Sequence, residues 1–291
     1  MRTQTAQRYP SLAHSHILRA TSRFHHWQGI GPLSIKTFEG GTAYYRANGG
    51  MFSVGPGSYL ILNHDEHYEI MIESDTPVSS FCVFFSPGAA EEVRRSLTAS
   101  MSSLLDMPDP ADSAGDAVDF LVRTYAADRW ITPLISRLKA SGPELHGDPL
   151  WLEERTHEIA AALLLVHRGV IAEAERLPAA KWSTRAELYR RVRLAHEYVR
   201  TCYKEPLTLG DIARAACLSP NHLLRSYKRV YGTSPSSHAA ELRLLEAERL
   251  LLAGRSVTDA CLLVGFSSVG SFSTLFKRRF GRSPSAFSQK R

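Results

Sequence analysis

Between residues 33 and 85 the apolar positions come in short runs rich in Tyr, Phe, Ile and Val, broken at Glu39-Gly40-Gly41, Asn48-Gly49-Gly50 and Gly55-Pro56-Gly57. Short β-prone segments punctuated by glycine turns predict a small β-barrel or sandwich. Beyond Ser86-Pro87-Gly88 the texture changes. Residues 89–105 and 117–138 read as helices, with a proline-containing loop at 107–115 between them. Residues 149–174 carry a helical stripe through Leu152, Ile159, Ala162, Leu163, Val166 and Val170, which must cover either its own domain's core or a subunit interface. Leu177-Pro178-Ala179-Ala180 marks a boundary, and past it the pattern stays helical to the end.

The last third contains an internal repeat. Residues 211–219 align with 259–267 at an offset of 48, and residues 227–232 align with 276–281 at an offset of 49. Both copies run into a Ser-Pro pair, Ser234-Pro235 and Ser283-Pro284, which ends the helix in each. Each copy reads as helix, tight turn, helix. In the first, Leu209, Ile212, Ala213 and Ala216 form one apolar face, Leu218 plugs the turn, and Ser219 caps a helix buried through Leu223, Tyr227 and Val230. In the second, Phe266 sits in the turn, Ser267 and Ser268 cap, and Phe272, Leu275, Phe276 and Phe280 are the buried positions. The small residues Ala213 and Cys261 allow the close crossing of a helix-turn-helix. Residues 236–252 between the copies make a rod on the order of 25 Å. A rod of that length can hold two reading helices about 34 Å apart, in successive major grooves of B-DNA.

Composition and charge sharpen this picture. A chain of 291 residues with 44% hydrophobic and 22% charged residues predicts two globular domains and excludes a disulfide-stapled miniprotein. Residues 181–291 hold 20 Lys and Arg against 8 Asp and Glu, a charge of +12, whereas residues 1–180 carry −6. A basic C-terminal third on an acidic remainder is the electrostatic footprint of a nucleic-acid-binding domain attached to something else. Cys82, Cys202, Cys217 and Cys261 lie far apart with no zinc-site spacing, which suits a reducing compartment. The longest uninterrupted apolar run, residues 159–166, is far short of the roughly 20 residues a membrane span needs. Residues 1–30 are polar, with no signal-peptide core, so a cytoplasmic location and no membrane partner are expected.

The stretch from about Arg185 to Arg291 resembles the DNA-binding domain of the AraC/XylS family of bacterial transcription regulators. The matching residues include Pro206-Leu207-Thr208-Leu209, Cys217-Leu218-Ser219-Pro220, Tyr227-Lys228, Ser234-Pro235, Gly265-Phe266-Ser267-Ser268, Phe272, Phe276-Lys277 and Phe280-Gly281. Residues 57–64 and 81–85 resemble, more weakly, the cupin-type effector or dimerisation domain that many such regulators carry. The resemblance implies an α+β chain: a cupin-like sensing β-domain at 1–88, a helical packing or dimerisation segment at 89–180, and an all-α DNA-binding domain at 181–291 with two helix-turn-helix units joined by a linker helix.

By analogy with the family, the base-facing positions are Asn221, Leu224 and Arg225 in the first unit and Val269, Gly270, Ser273 and Thr274 in the second. Only the first set holds an arginine able to grip a guanine through two hydrogen bonds, so sequence discrimination is expected to concentrate there. Ser219, Lys228, Arg229, Ser268, Lys277 and Arg278 lie beside those faces and suit phosphates. The implied partners are operator or promoter DNA, a small-molecule effector, RNA polymerase and a second copy of the chain.

No catalytic motif, cofactor or metal site is expected. Metal-binding cupins place two His one residue apart with a Glu a few positions on. The nearest residues here are His64, His67 and Glu69, and the odd offset between the histidines sends them to opposite faces of a strand. His14, His16, His25 and His26 precede the barrel in a polar segment and read as surface residues. Tyr45, Phe52, Tyr59 and Phe81 would line the barrel interior, which either packs solid or leaves an effector pocket. Three readings follow: an effector-modulated regulator, a regulator controlled by its abundance, and a cupin metalloenzyme with an accessory DNA-binding tail.

Overall fold

The computed structural model describes residues 7–8, 14–99, 117–178 and 181–288. The chain divides into two compact units, Met1–Glu173 and Ala174–Arg291.

The first unit is built on a sheet of eight strands, β1 (Gln7–Arg8), β2 (His16–Gly31), β3 (Ser34–Glu39), β4 (Ala43–Ala47), β5 (Gly50–Val54), β6 (Ser58–Leu62), β7 (Glu66–Phe84) and β8 (Thr124–Ala126). The order β1-β2-β7-β3-β6-β8, with β4 and β5 branching off β7, makes a nearly closed barrel that is antiparallel apart from the β1–β2 pair. Strand β7 organises it. One edge pairs with β2 along almost its whole length, while the other pairs first with β4 through residues 68–71 and then with β3 through 79–84. The turns are where the glycines predict them. Asn48 and Gly49 both take positive φ, 47° and 72°, in the two-residue loop between β4 and β5, as a type I′ hairpin turn requires.

Two expectations change. The barrel does not begin at residue 33: the polar stretch before it is β2, a 16-residue strand whose main chain pairs with β7 while many of its side chains face solvent. Residues 117–138 are not one helix, because β8 interrupts them. Tyr125 stacks on Tyr59 with ring centroids 5.1 Å apart, and the buried Asn63 amide satisfies both the N–H and the C=O of Phe120 at 2.8 Å. Those tertiary partners outweigh local helix propensity, and the helix starts only at Ile131.

The described helices of this unit are α1 (Ala89–Thr98), α2 (Ile131–Ala140), α3 (Pro143–His146) and α4 (Pro149–Ala174). The loop assigned to 107–115 and the end of the first predicted helix lie outside the described residues. Leu152, Ile159, Ala162, Leu163 and Val170 of α4 are buried and Val166 is half-buried, so most of the stripe packs inside the chain.

The second unit contains α5 (Trp182–Cys202), α6 (Leu209–Ala215), α7 (Pro220–Tyr231), α8 (Pro235–Leu252), α9 (Val257–Leu263), α10 (Val269–Phe280) and α11 (Pro284–Ser288). Helix α5 packs against α6, α7 and α8. On the other side of α8, Leu244, Ala247 and Leu251 meet Ala260, Cys261, Val264, Phe272 and Phe276 in one buried cluster. Among the described residues no helix is long and apolar enough to cross a membrane.

Candidate nucleic-acid interface and ligand cavity

The two helix-turn-helix units are built from the same local chemistry. Thr208 and Asp211 form a reciprocal capping box at the start of α6, and Ser256 caps α9 through the Asp259 N–H at 3.0 Å while its hydroxyl donates to the Asp259 carboxylate at 2.7 Å. Both first helices end in a Schellman motif. The N–H of Leu218 donates to Ala213 O at 2.9 Å and that of Phe266 donates to Cys261 O at 3.0 Å. The motif needs a left-handed residue, which is Cys217 at φ 51° in the first unit and Gly265 at φ 89° in the second.

Each second helix is then set in the same way. Ser219 caps α7 and Ser268 caps α10, each hydroxyl accepting the N–H three residues on, and Gly232 and Gly281 close them at φ 72° and 73°. Leu223, Tyr227 and Val230 of α7 and Phe272 and Phe276 of α10 are buried. The opposite face is exposed at Asn221, Arg225, Lys228 and Arg229 in α7 and at Gly270, Thr274, Lys277 and Arg278 in α10. Both sets follow the spacing i, i+4, i+7, i+8, one continuous stripe per helix. Val269 is exposed, while Leu224 and Ser273 are half-buried at the edges of the stripes.

Among the described residues Arg225, Lys228, Arg229, Lys277 and Arg278 have no carboxylate partner. The neighbouring Arg279 instead reaches back to Glu241 of α8 at 2.6 Å. The free cations therefore sit on the exposed stripe, and the paired one ties the helix to its support. The Thr274 hydroxyl donates to Gly270 O at 3.0 Å inside its own helix, which leaves its methyl group as the distinctive outward chemistry.

Beneath α7 lies a half-buried polar cluster that sequence reasoning did not single out. The Tyr227 hydroxyl sits between His196 Nδ1 at 3.1 Å and His238 Nδ1 at 2.6 Å, donating to one ring and accepting from the other. Burial, aided by Arg200, lowers the His238 pKa to about 4, so its ring is neutral near pH 7.

The barrel holds a cavity of about 200 Å³. Its walls follow the two-residue period of the strands: Lys36 and Phe38 of β3, Tyr45 of β4, Tyr68, Ile70 and Ile72 and then Ser80, Cys82 and Phe84 of β7. From β2 come Leu18, Ala20 and Ser22, then His25 and Trp27. The parity on β2 switches because its register against β7 shifts between Ser22 and Phe24, and that irregularity turns Trp27 inward.

Of the four aromatics expected to line the interior, Tyr45 does. Phe52, across from Tyr45 in the ladder, is fully enclosed. Tyr59 lines a separate cleft beside Lys139 and donates to Asp128 Oδ2 at 2.5 Å, and burial with that bond pushes its pKa up. Phe81, one residue out of phase with Ser80 and Cys82, faces away, under Arg19 and Lys139. Trp27, Tyr68 and Lys36 were not anticipated. Trp27 precedes the predicted strands, and a lone lysine between Ile35 and Thr37 reads as a solvent-facing position.

Lys36 is only 2% exposed. Its ammonium lies 3.7 Å from the Phe84 ring centroid and 3.5 Å from the Tyr68 hydroxyl, and burial lowers its pKa to about 8. His16 stacks on the same Phe84 ring at 4.4 Å, and burial together with Lys36 lowers its pKa to about 4. The residues weighed as metal ligands are dispersed: Glu69 is engaged by His26 at 2.8 Å and Arg46 at 3.1 Å on the outer face, and His64 lies beside Asp65. Among the described residues no group of three His, Cys, Asp or Glu side chains is arranged to hold a metal ion.

Comparison with known proteins matches residues 22–181 to the AraC-like ligand binding domain and residues 212–290 to a helix-turn-helix domain. The bifunctional transcriptional activator/DNA repair enzyme AdaA of Bacillus subtilis is 28% identical over 116 residues, 40% of this chain and 51% of that protein, so the chain spans about half of AdaA's length. The transcriptional activator RhaS of Klebsiella pneumoniae is 25% identical over 261 residues, 88% of this chain and 85% of that protein. Among solved structures, a probable AraC family transcriptional regulator from Rhodopseudomonas palustris matches 34% of this chain and 95% of its own at 31% identity, with a TM-score of 0.33.

Proposed function

The chain belongs to the AraC family of DNA-binding transcriptional regulators, and from that premise we propose that it reads an operator through α7 and α10 and is modulated by a small molecule held in the barrel cavity. The observation that carries the reading is the pair of matched helices, capped alike at both ends, each presenting an exposed stripe that ends in two unpaired cations.

In this reading Arg225 makes the guanine contact, Asn221 and Leu224 flank it, and Val269, Gly270, Ser273 and Thr274 supply close approach and apolar contact to thymine methyl groups. Lys228, Arg229, Lys277 and Arg278 hold phosphates, and the hydroxyls of Ser219 and Ser268 keep a proton to donate to phosphate while accepting their capping bonds. Helix α8 spaces the two readers, so one chain spans two half-sites. A ligand in the cavity acts by binding one arrangement of the protein better than another.

Footprinting the full chain on DNA flanking its own gene tests the reading. Protection of two patches about one helical turn apart on one face of the duplex is expected. Uniform protection, or none beyond competitor DNA, would refute it.

A further inference from the structure

The cavity contains a charge that no carboxylate among the described residues balances. Its lining is mainly apolar and aromatic, with Ser22, His25 and Ser80 toward its polar side, yet the fully buried Lys36 stands in the middle of β3, directly across the ladder from Cys82. Its ammonium is held by the faces of Phe84 and Tyr68 and one long hydrogen bond to the Tyr68 hydroxyl; among the described residues no carboxylate pairs with it. Cation–π contacts recover only part of the hydration an ammonium loses on leaving water. A lysine retained at that cost, aimed into a cavity open to ligand, is the chemistry of anion capture.

The size of the space limits the rest of the molecule. A cavity of about 150 Å³ holds a benzene ring, so about 200 Å³ admits one ring and a small substituent but not a long chain. Trp27 and Tyr68, with centroids 5.0 Å apart, and Phe38 and Tyr45, 6.0 Å apart, present ring faces and edges to such a guest. We propose that the ligand of this cavity is a compact single-ring monocarboxylate, its ring packed among Trp27, Tyr45 and Tyr68 and its carboxylate paired with the Lys36 ammonium. This assignment rests on the effector reading above and names the class of effector.

The test is calorimetric titration of the full chain with benzoate and with its neutral isostere benzamide, repeated on Lys36→Met. Methionine keeps the length of the side chain and removes a buried charge, a change that tends to be neutral or stabilising. The wild-type comparison of the two probes needs no variant at all. Benzoate should bind the wild type at least about tenfold more tightly than benzamide, the factor a charge-assisted contact supplies. In Lys36→Met the preference should vanish or reverse. Equal affinity for the two probes in the wild type, undiminished benzoate binding by Lys36→Met, or no binding of either probe at millimolar concentration would overturn the proposal. DNA affinity with and without benzoate separates this from the reading beneath it. Lysine-dependent benzoate binding that leaves DNA affinity unchanged sinks the effector role and keeps the site. A benzamide-induced change in DNA affinity without charge preference keeps the effector role and sinks the assignment to a carboxylate.

Discussion

Adding one methyl group at Gly265 should cost more than almost any other single change in the DNA-binding unit. Gly265 closes the Schellman motif of α9 at φ 89°, where an L side chain is strained by about 1–2 kcal/mol. A Cβ built there would lie 2.1 Å from the carbonyl oxygen of Lys204, about 1.3 Å short of ordinary contact. The carbonyl cannot simply move away. Arg243 of α8 clamps its neighbours on both sides, donating to Tyr203 O at 2.6 Å and to Glu205 O at 2.8 Å. Relieving the clash breaks at least one of those charge-assisted bonds, worth about 1.5–3 kcal/mol.

The sum for Gly265→Ala is a loss of about 3–5 kcal/mol, a large share of the roughly 5–15 kcal/mol that holds a domain folded. Because the chain has two units, a single melting transition would mix them, and amide hydrogen exchange over α8–α10 in the full chain is the appropriate readout. Protection there should fall by a factor of about a hundred to a few thousand. Cys217→Gly, at the equivalent exposed position of the first unit with φ 51°, should instead be neutral or stabilising by up to about 1 kcal/mol. Unchanged protection in Gly265→Ala would refute the claim that this close approach and the Arg243 clamp fix the second unit.

Other outcomes follow from the same geometry. Replacing Lys228 and Lys277 together by Gln should weaken binding to all DNA sequences alike and flatten the dependence of log affinity on log salt by about one for each phosphate no longer neutralised; an unchanged slope in a salt titration would show that they do not touch phosphate. His238, whose pKa falls from 6.5 to about 4 on folding, should contribute its full stability above about pH 6.5 and lose it as pH falls toward 4, because the unfolded chain then binds the extra proton. Between pH 7 and 5 that amounts to about 2 kcal/mol, read as exchange protection of α7 and α8, and His238→Gln should remove it.

What could be read from the chain alone depends on whether the signal was local. The helix-turn-helix units were legible because caps, left-handed closing residues and buried aromatics recur at fixed offsets, and each is a short-range demand on residue type. Phe272 and Phe276, expected in the core, are fully buried there. The cavity was not legible, because its shape is set by long-range pairing. A register shift between Ser22 and Phe24 decides that Trp27 faces inward, and nothing near Trp27 in the sequence encodes it. Lys36 is hidden for the same reason, since its strand is covered on both faces and alternation carries no information there. Residues 117–126 were misread because the bonds that hold them, from Asn63 and Tyr59, come from about sixty residues away.

The central claim, that one chain reads two half-sites with discrimination concentrated in α7, is tested most directly by selecting bound duplexes from a randomised pool with the full chain, Arg225→Ala and Thr274→Ala. The account predicts two blocks of base preference with centres about 10 base pairs apart. Arg225→Ala should flatten one guanine position in the stronger block by about 1–3 kcal/mol and leave the other block standing, while Thr274→Ala should change little. A single block of preference, or equal losses from the two substitutions, would contradict it.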